Sequence, residues 1–140
     1  MDKGKVRNII RGGEGMIITE NFIKMCGRNE DLQKLWKPKN NDWILIKKSR
    51  EIQILYKVGE YPNKIIKDNT VYLPTQEQLQ EMILNNGHQG YDNSGIATML
   101  SYFSMEYKLE DLTFNELWLC YVMHEKYHKI WTGEKWEAIK

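Results

Sequence analysis

Residues 113–136, TFNELWLCYVMHEKYHKIWTGEKW, decide how the chain folds. Thr113 is a good helix N-cap, and Glu116 three positions later completes a capping box, in which each side chain answers the other's backbone N–H. Leu117, Tyr121, His124 and His128 then recur at helical spacing, so a helix is expected from Thr113 to about Lys129. Leu117, Trp118, Tyr121 and Val122 would anchor it in a core. Trp131-Thr132-Gly133-Glu134-Lys135-Trp136 reads as a tight turn between two short extended pieces, with both tryptophans packing at the helix end. This is the longest apolar-periodic run in the chain, so the remaining segments should be organised around it.

Working outward, Thr75 with Gln78 forms a second capping box, followed by Leu79, Met82 and Ile83 on one helical face and a stop at Gly87. Residues 87–95, GHQGYDNSG, read as a loop whose Asn93 or Ser94 caps a further helix bearing Ile96, Met99, Leu100, Phe103 and Tyr107. Residues 42–73 read as β. Trp43-Ile44-Leu45-Ile46 is a short apolar run. Ile52, Ile54, Tyr56 and Val58 alternate along a half-buried strand, joined to the first by a turn at Lys48-Ser49-Arg50. Lys64–Lys67 and Thr70–Leu73 are read as two more extended pieces flanking Asp68-Asn69. Before them, Thr19 caps a helical stretch carrying Phe22, Ile23, Met25, Cys26, Leu32, Leu35 and Trp36. Gly27 weakens it by about 1 kcal/mol relative to Ala, so one softened helix and two short ones both fit, with Pro38 as the stop. The expected fold is therefore α+β: an antiparallel meander of three to four strands packed against three to four helices, as a single domain over residues 16–140.

Residues 1–15 differ from the rest. They are basic and Gly-rich, with Val6, Ile9 and Ile10 as their one apolar cluster. Two readings stand: a flexible arm, or a translated upstream region. The second arises because Arg11-Gly12-Gly13-Glu14-Gly15 can be encoded by a purine-rich, ribosome-binding-like stretch ahead of a start at Met16. The whole chain has 140 residues and net charge +1, which gives no global reason to expect nucleic acid. Its two cysteines, Cys26 and Cys120, sit in apolar helical patterns and form no disulfide framework. With no apolar stretch near the roughly 20 residues that span a bilayer, and no signal-like N-terminus, a cytoplasmic protein is expected.

His124-Glu125-Lys126-Tyr127-His128 satisfies HExxH, the pattern of zinc peptidases. Two histidines four apart on a helix point to one side and can share a zinc, and the glutamate can polarise the metal-bound water as general base. On that reading the metal ligands are His124 and His128, and Glu125 is catalytic. A catalytic zinc also needs a third protein ligand. Downstream, Glu134 and Glu137 lie across the Trp131–Trp136 turn, and the residue three after His128 is Trp131. Upstream, His88 in the Gly-rich loop is the best remaining candidate. Lys126 also places a cation inside the motif. The competing reading is that His124 and His128 simply extend the packed face of the helix.

Charge supplies a second candidate site. Residues 37–67 hold eight Lys/Arg against three acids, a local +5, whereas residues 68–116 hold eight acids against one base, a local −7. Trp43, Tyr56 and Tyr72 on a sheet rich in Lys47, Lys48, Arg50, Lys57, Lys64 and Lys67 could stack bases and hold phosphates, as single-strand binders do. The plain alternative is core aromatics with lysines guarding strand edges.

Three phrases occur together: Leu32–Lys39 (LQKLWKPK) with Asp42-Trp43; Tyr72–Ile83 (YLPTQEQLQEMI); and Glu116–Leu119 (ELWL) through Glu125-Lys126-Tyr127 to Trp131–Trp136 (WTGEKW). Together they resemble a family of small uncharacterised proteins encoded by phages and prophages of Gram-positive bacteria. The resemblance covers most of the chain from about Met16. It implies a phage origin and a start at Met16, assigns no reaction, and implies that the place of His124 is not reserved for histidine. The expectation is an accessory protein of the host cytoplasm that binds a host or phage protein, a nucleic acid or a small signalling molecule, for example in counter-defence. That reading needs no cofactor. The rival is a zinc-dependent hydrolase.

Overall fold

Two capped helices open the described chain. The computed structural model describes residues 18–84 and 93–139, the side chains of 84 and 93–97 excepted. These residues group into two compact units divided between Pro74 and Thr75. In the first unit, Thr19 Oγ1 accepts a hydrogen bond from the Phe22 amide at 2.9 Å and starts α1 (Glu20–Gly27). The chain breaks at Gly27. Asn29 Oδ1 then accepts from the Leu32 amide at 3.0 Å and starts α2 (Glu30–Leu35). Of the two arrangements the sequence permits, the pair of short helices is the one formed. They bury Phe22, Ile23, Met25, Cys26 and Leu32.

A three-stranded antiparallel sheet follows, made of β1 (Trp43–Ile46), β2 (Ile52–Ile54) and β3 (Thr70–Tyr72). Strand β1 is central, and its Ile44 lies opposite Gln53 on one side and Tyr72 on the other. Trp43, Ile44 and Leu45 are all buried, as expected of a short central strand covered on both faces. The hairpin turn closes with Arg50 in the left-handed region (φ 65°).

The α+β class and antiparallel pairing agree with the sequence reading, but the sheet is not a simple meander. Its order is β2-β1-β3, because the expected strand at residues 64–67 is helical: α3 spans Asn63–Asn69. Pro62, with fixed φ and an extended backbone (φ −61°, ψ 141°), leads into it. Lys64 then reaches Asp68 at 2.8 Å, an i,i+4 pair available only on a helix. Of the adjacent Ile65 and Ile66, only Ile66 is buried, so the apolar pair offered no alternation to separate strand from helix. The expected strand from Ile52 to Val58 also stops early, at Ile54, and Val58–Glu60 forms a 3₁₀ turn.

Three polar side chains, Gln33, Asp42 and Lys67, tie α2 and the loop after it to the sheet and to α3. Gln33 Nε2 donates to the Tyr72 carbonyl at 3.2 Å, and Gln33 Oε1 accepts from the Tyr72 amide at 3.0 Å. The side-chain amide thus pairs with edge strand β3 as a neighbouring strand would, and the same Nε2 also donates to the Cys26 carbonyl. The buried Asp42 carboxylate accepts from the Trp36 indole N–H and from the Lys39 amide, each at 2.9 Å. Trp36 itself stacks on Tyr72, with ring centroids 5.0 Å apart and planes within 1° of parallel. Lys67 Nζ donates to the carbonyls of Lys34 and Trp36, taking up acceptors left at the end of α2.

The second unit contains α4 (Gln76–Leu84), α5 (Asn93–Tyr107), α6 (Phe114–Tyr127), β4 (Lys129–Trp131) and β5 (Trp136–Ala138). Both expected capping boxes are present. Thr75 N donates to Gln78 Oε1 at 2.8 Å and Gln78 N to Thr75 Oγ1 at 3.1 Å. Thr113 and Glu116 make the equivalent pair at 2.9 and 3.3 Å. Helix α6 packs against α4, α5 and β4 and is buried without interruption from Trp118 to Met123. Strands β4 and β5 pair through a turn in which Gly133 adopts φ 102°, the conformation a two-residue Gly-X hairpin loop requires. Trp131 and Trp136 face each other across that hairpin, with centroids 5.2 Å apart. The expected stop at Gly87 lies outside the described residues, and α5 begins at Asn93, so Ser94 lies inside the helix rather than capping it.

Gln33 is therefore a sequence-remote fastener of β3. Replacing it by Ala should lower unfolding stability by about 1–3 kcal/mol, because the Tyr72 amide and carbonyl lose their partner together. Urea titration of Gln33→Ala beside the exposed control Lys34→Ala checks this. The control should stay within about 0.5 kcal/mol of the parent, and equal behaviour of the two variants would contradict the assignment.

Candidate functional site

The HExxH residues lie at the C-terminal end of α6, and the helix ends inside the motif. Tyr127 is its last residue. His128 is the cap, with left-handed dihedrals (φ 54°, ψ 47°), and its backbone N–H returns to the carbonyls of His124 and Met123. Histidine is among the few non-glycine residues enriched in this conformation, which closes helices and turns the chain out of them. Here it turns α6 into β4. The His128 amide keeps the i→i−4 hydrogen bond to the His124 carbonyl at 3.2 Å, but its left-handed dihedrals mean that its side chain does not project as a helical residue's would. The His128 side chain is exposed.

His124 is engaged at both ring nitrogens. Nδ1 lies 2.9 Å from Glu125 Oε2 and Nε2 lies 3.0 Å from the Tyr107 hydroxyl. A carboxylate only accepts, so Nδ1 carries the proton in that contact, and in the neutral ring Nε2 accepts from the tyrosine. The ring also meets Phe103 edge-on at 5.0 Å and Tyr107 at 5.3 Å. Glu125, the expected general base, is thus turned to the adjacent imidazole, and Lys126 Nζ lies 5.8 Å from the Tyr127 ring centroid. No group of three or more metal-ligating side chains occurs among the described residues. His88, the proposed third ligand, lies outside them. Tyr107, which the sequence reading placed only on an apolar helix face, is the residue that joins α5 to His124.

Burial shapes the chemistry of α6 further back. Cys120 is fully buried, and its thiol is pushed up to about 12, first by loss of solvent and then by the nearby charge of Glu116. It is an inert, protonated thiol rather than a nucleophile.

In the first unit, the residues expected to bind a partner are separated by burial. Trp43 lies in the core of the central strand, so it cannot offer a face to a base, and Tyr72 is likewise covered by Trp36. The exposed rings are Tyr56, 71% accessible, and Tyr61, 57% accessible, with Ile65 also exposed. Lys47, Lys48, Arg50, Lys57 and Lys64 are all on the surface. Three of these cations meet their own chain: Lys47 Nζ donates to the Asp68 carbonyl at 3.2 Å, Arg50 pairs with Glu20 at 3.2 Å, and Lys64 pairs with Asp68 at 2.8 Å. The Asp68 hydrogen bond, and then its charge, raise the Lys64 ammonium above its ordinary value. Lys57 sits in the left-handed region (φ 57°), and the next amide, of Val58, donates to Asn40 Oδ1 at 3.0 Å. The 3₁₀ turn between the two tyrosines is thereby tied down. Tyr61 was missed at the sequence level, although Tyr61-Pro62 ahead of a helix start is the signal that would have placed it at an exposed corner.

No family model, curated protein or solved structure matches the chain. No described helix is long and apolar enough to cross a membrane.

The raised Cys120 value fixes a pH dependence. The folded state holds the proton to about 12, whereas the unfolded thiol releases it near 9.0. The unfolded state therefore binds fewer protons between those values, and stability falls as pH rises through that window. Urea titrations at pH 8.5 and 10.5 should show the parent losing about 2 kcal/mol more than Cys120→Ala over this interval. Parallel losses in the two proteins would contradict the burial assignment.

Proposed function

We propose that the protein is a phage-encoded accessory factor that acts in the host cytoplasm by binding rather than by catalysis, and that its first unit holds single-stranded nucleic acid. The observation that carries the binding reading is the exposed pair Tyr56 and Tyr61, set five residues apart on either side of a 3₁₀ turn within the +5 segment at residues 37–67. Buried aromatics do not stack on ligands. These two rings are exposed, and exposed Lys57, next to Tyr56 in the chain, supplies the phosphate-holding cation that single strands require beside a stacking platform. The phage origin rests on the resemblance carried by the three phrases around Trp36, Pro74 and Trp131, which assigns no reaction. The engagement of His124 by Tyr107 and Glu125, together with the left-handed backbone at His128, favours binding over zinc-dependent hydrolysis.

Fluorescence anisotropy with a labelled thymidine oligonucleotide of about 12 residues, within the site sizes such binders cover, tests the proposal. Affinity should fall with salt, and Lys57→Ala should reduce the log–log salt slope by about 0.7. Tyr56→Ala should weaken binding by about 1–3 kcal/mol. Absence of salt-dependent binding, or parental affinity in Tyr56→Ala/Tyr61→Ala, would overturn it.

A further inference from the structure

Helix α5 has one covered face and one bare one. Leu100 and Phe103 are buried, and Phe103 meets Tyr121 and His124 of α6 at 5.3 and 5.0 Å. Away from that face Tyr102 and Met105 are 67% and 65% accessible, and Met99, 38% accessible, lies at its margin, about 40° around the helix from Phe103. At i, i+3, i+6 spacing each neighbours the next, in a strip that slants about 120° around the helix. Large apolar groups gathered on one exposed helix face mark an interaction surface, whereas scattered ones need no explanation. Methionine's unbranched, polarisable side chain suits it to adapt to a partner's relief, and tyrosine supplies a rigid anchor.

The charge near the strip is net negative. Glu106 is exposed on the same helix between Met105 and the helix end, and exposed Glu110 and Asp111 lie beyond the helix end, with exposed Lys108 between. Lys108 is the one base within the −7 segment to which they belong. This surface would repel another acidic segment and attract a cationic one.

We infer that the Met99–Tyr102–Met105 face of α5 docks a basic amphipathic helix of a protein partner. The partner's apolar residues, at i, i+3/i+4 and i+7, cover the strip, and its flanking Lys or Arg side chains meet Glu106, Glu110 and Asp111. The surface is distinct from the tyrosine–lysine site of the first unit, so nucleic acid and protein would be held by different residues.

The test uses the full chain and two synthetic peptides of identical Leu/Lys composition, one with the leucines at amphipathic helical spacing and one with the order shuffled. Titration calorimetry should give affinity at least about tenfold higher for the patterned peptide, equivalent to roughly 1.4 kcal/mol. Met99→Lys/Met105→Lys should abolish that preference while its thermal unfolding stays near the parent's, because both positions are exposed. Glu106→Lys, which leaves the apolar strip intact, should weaken the patterned peptide several-fold. Equal binding of the two peptides, or a double variant that keeps the preference, would overturn the inference.

Discussion

Helix α6 is enclosed on every side through its middle, and the second unit is built to meet that condition. From Trp118 to Met123 no residue reaches solvent appreciably. A helix with no polar face must be covered all round, and α4, α5 and the hairpin strand β4 each supply part of the cover. Every large side chain so enclosed contributes about 1.5–3 kcal/mol of apolar burial, so these contacts outweigh any single polar interaction at the helix ends. Polar groups within this cover are not all answered: the Trp118 indole N–H is buried with no hydrogen-bond partner among the described residues. Glu116 is buried yet bonded to the Thr113 amide, and His124, at the margin of the enclosed zone, is bonded on both nitrogens.

That enclosure also determines where the helix stops. Beyond Tyr127 the chain must reverse to bring β4 back against α6, and His128 accomplishes this with a left-handed backbone. Its N–H still bonds the His124 carbonyl one turn earlier, while its left-handed dihedrals turn its own side chain and the following chain out of the helix. A motif written in sequence as a helical pair is, in space, a packed imidazole followed by a cap. The first unit shows a comparable use of polar side chains as construction. Gln33 completes the edge of β3, Asp42 holds Trp36 and the Lys39 amide, and Lys67 closes α2. The rings left over at the surface are Tyr56 and Tyr61.

Much of this was legible in the residues because it is written locally. Thr19, Thr75 and Thr113 announce their helices through side chains that reach only three positions along the chain. The Trp131–Trp136 turn is declared by Gly133. What the sequence concealed depends on distant partners. Lys64–Lys67 carries two adjacent isoleucines between lysines, a pattern equally compatible with strand and helix, and the choice follows from Pro62 and from β1 recruiting β3 as its second neighbour. Trp43 and Tyr56 are both aromatic residues in or beside strands, and only the three-dimensional cover separates core from surface. Likewise the Tyr107–His124 contact joins residues 17 apart, and neither one's spacing forecasts it.

The reading of the HExxH segment as a helix terminus rather than a metal site rests on the two imidazoles having different lives. Nitrogen-15 NMR of both rings during zinc addition at neutral pH examines this most directly. His124 should show a protonated Nδ1 and an Nε2 bonded to Tyr107, and its ring shifts should hold steady through a stoichiometric addition of zinc, whatever the exposed His128 does. Joint, saturating movement of the His124 and His128 ring nitrogens at equimolar zinc would contradict it.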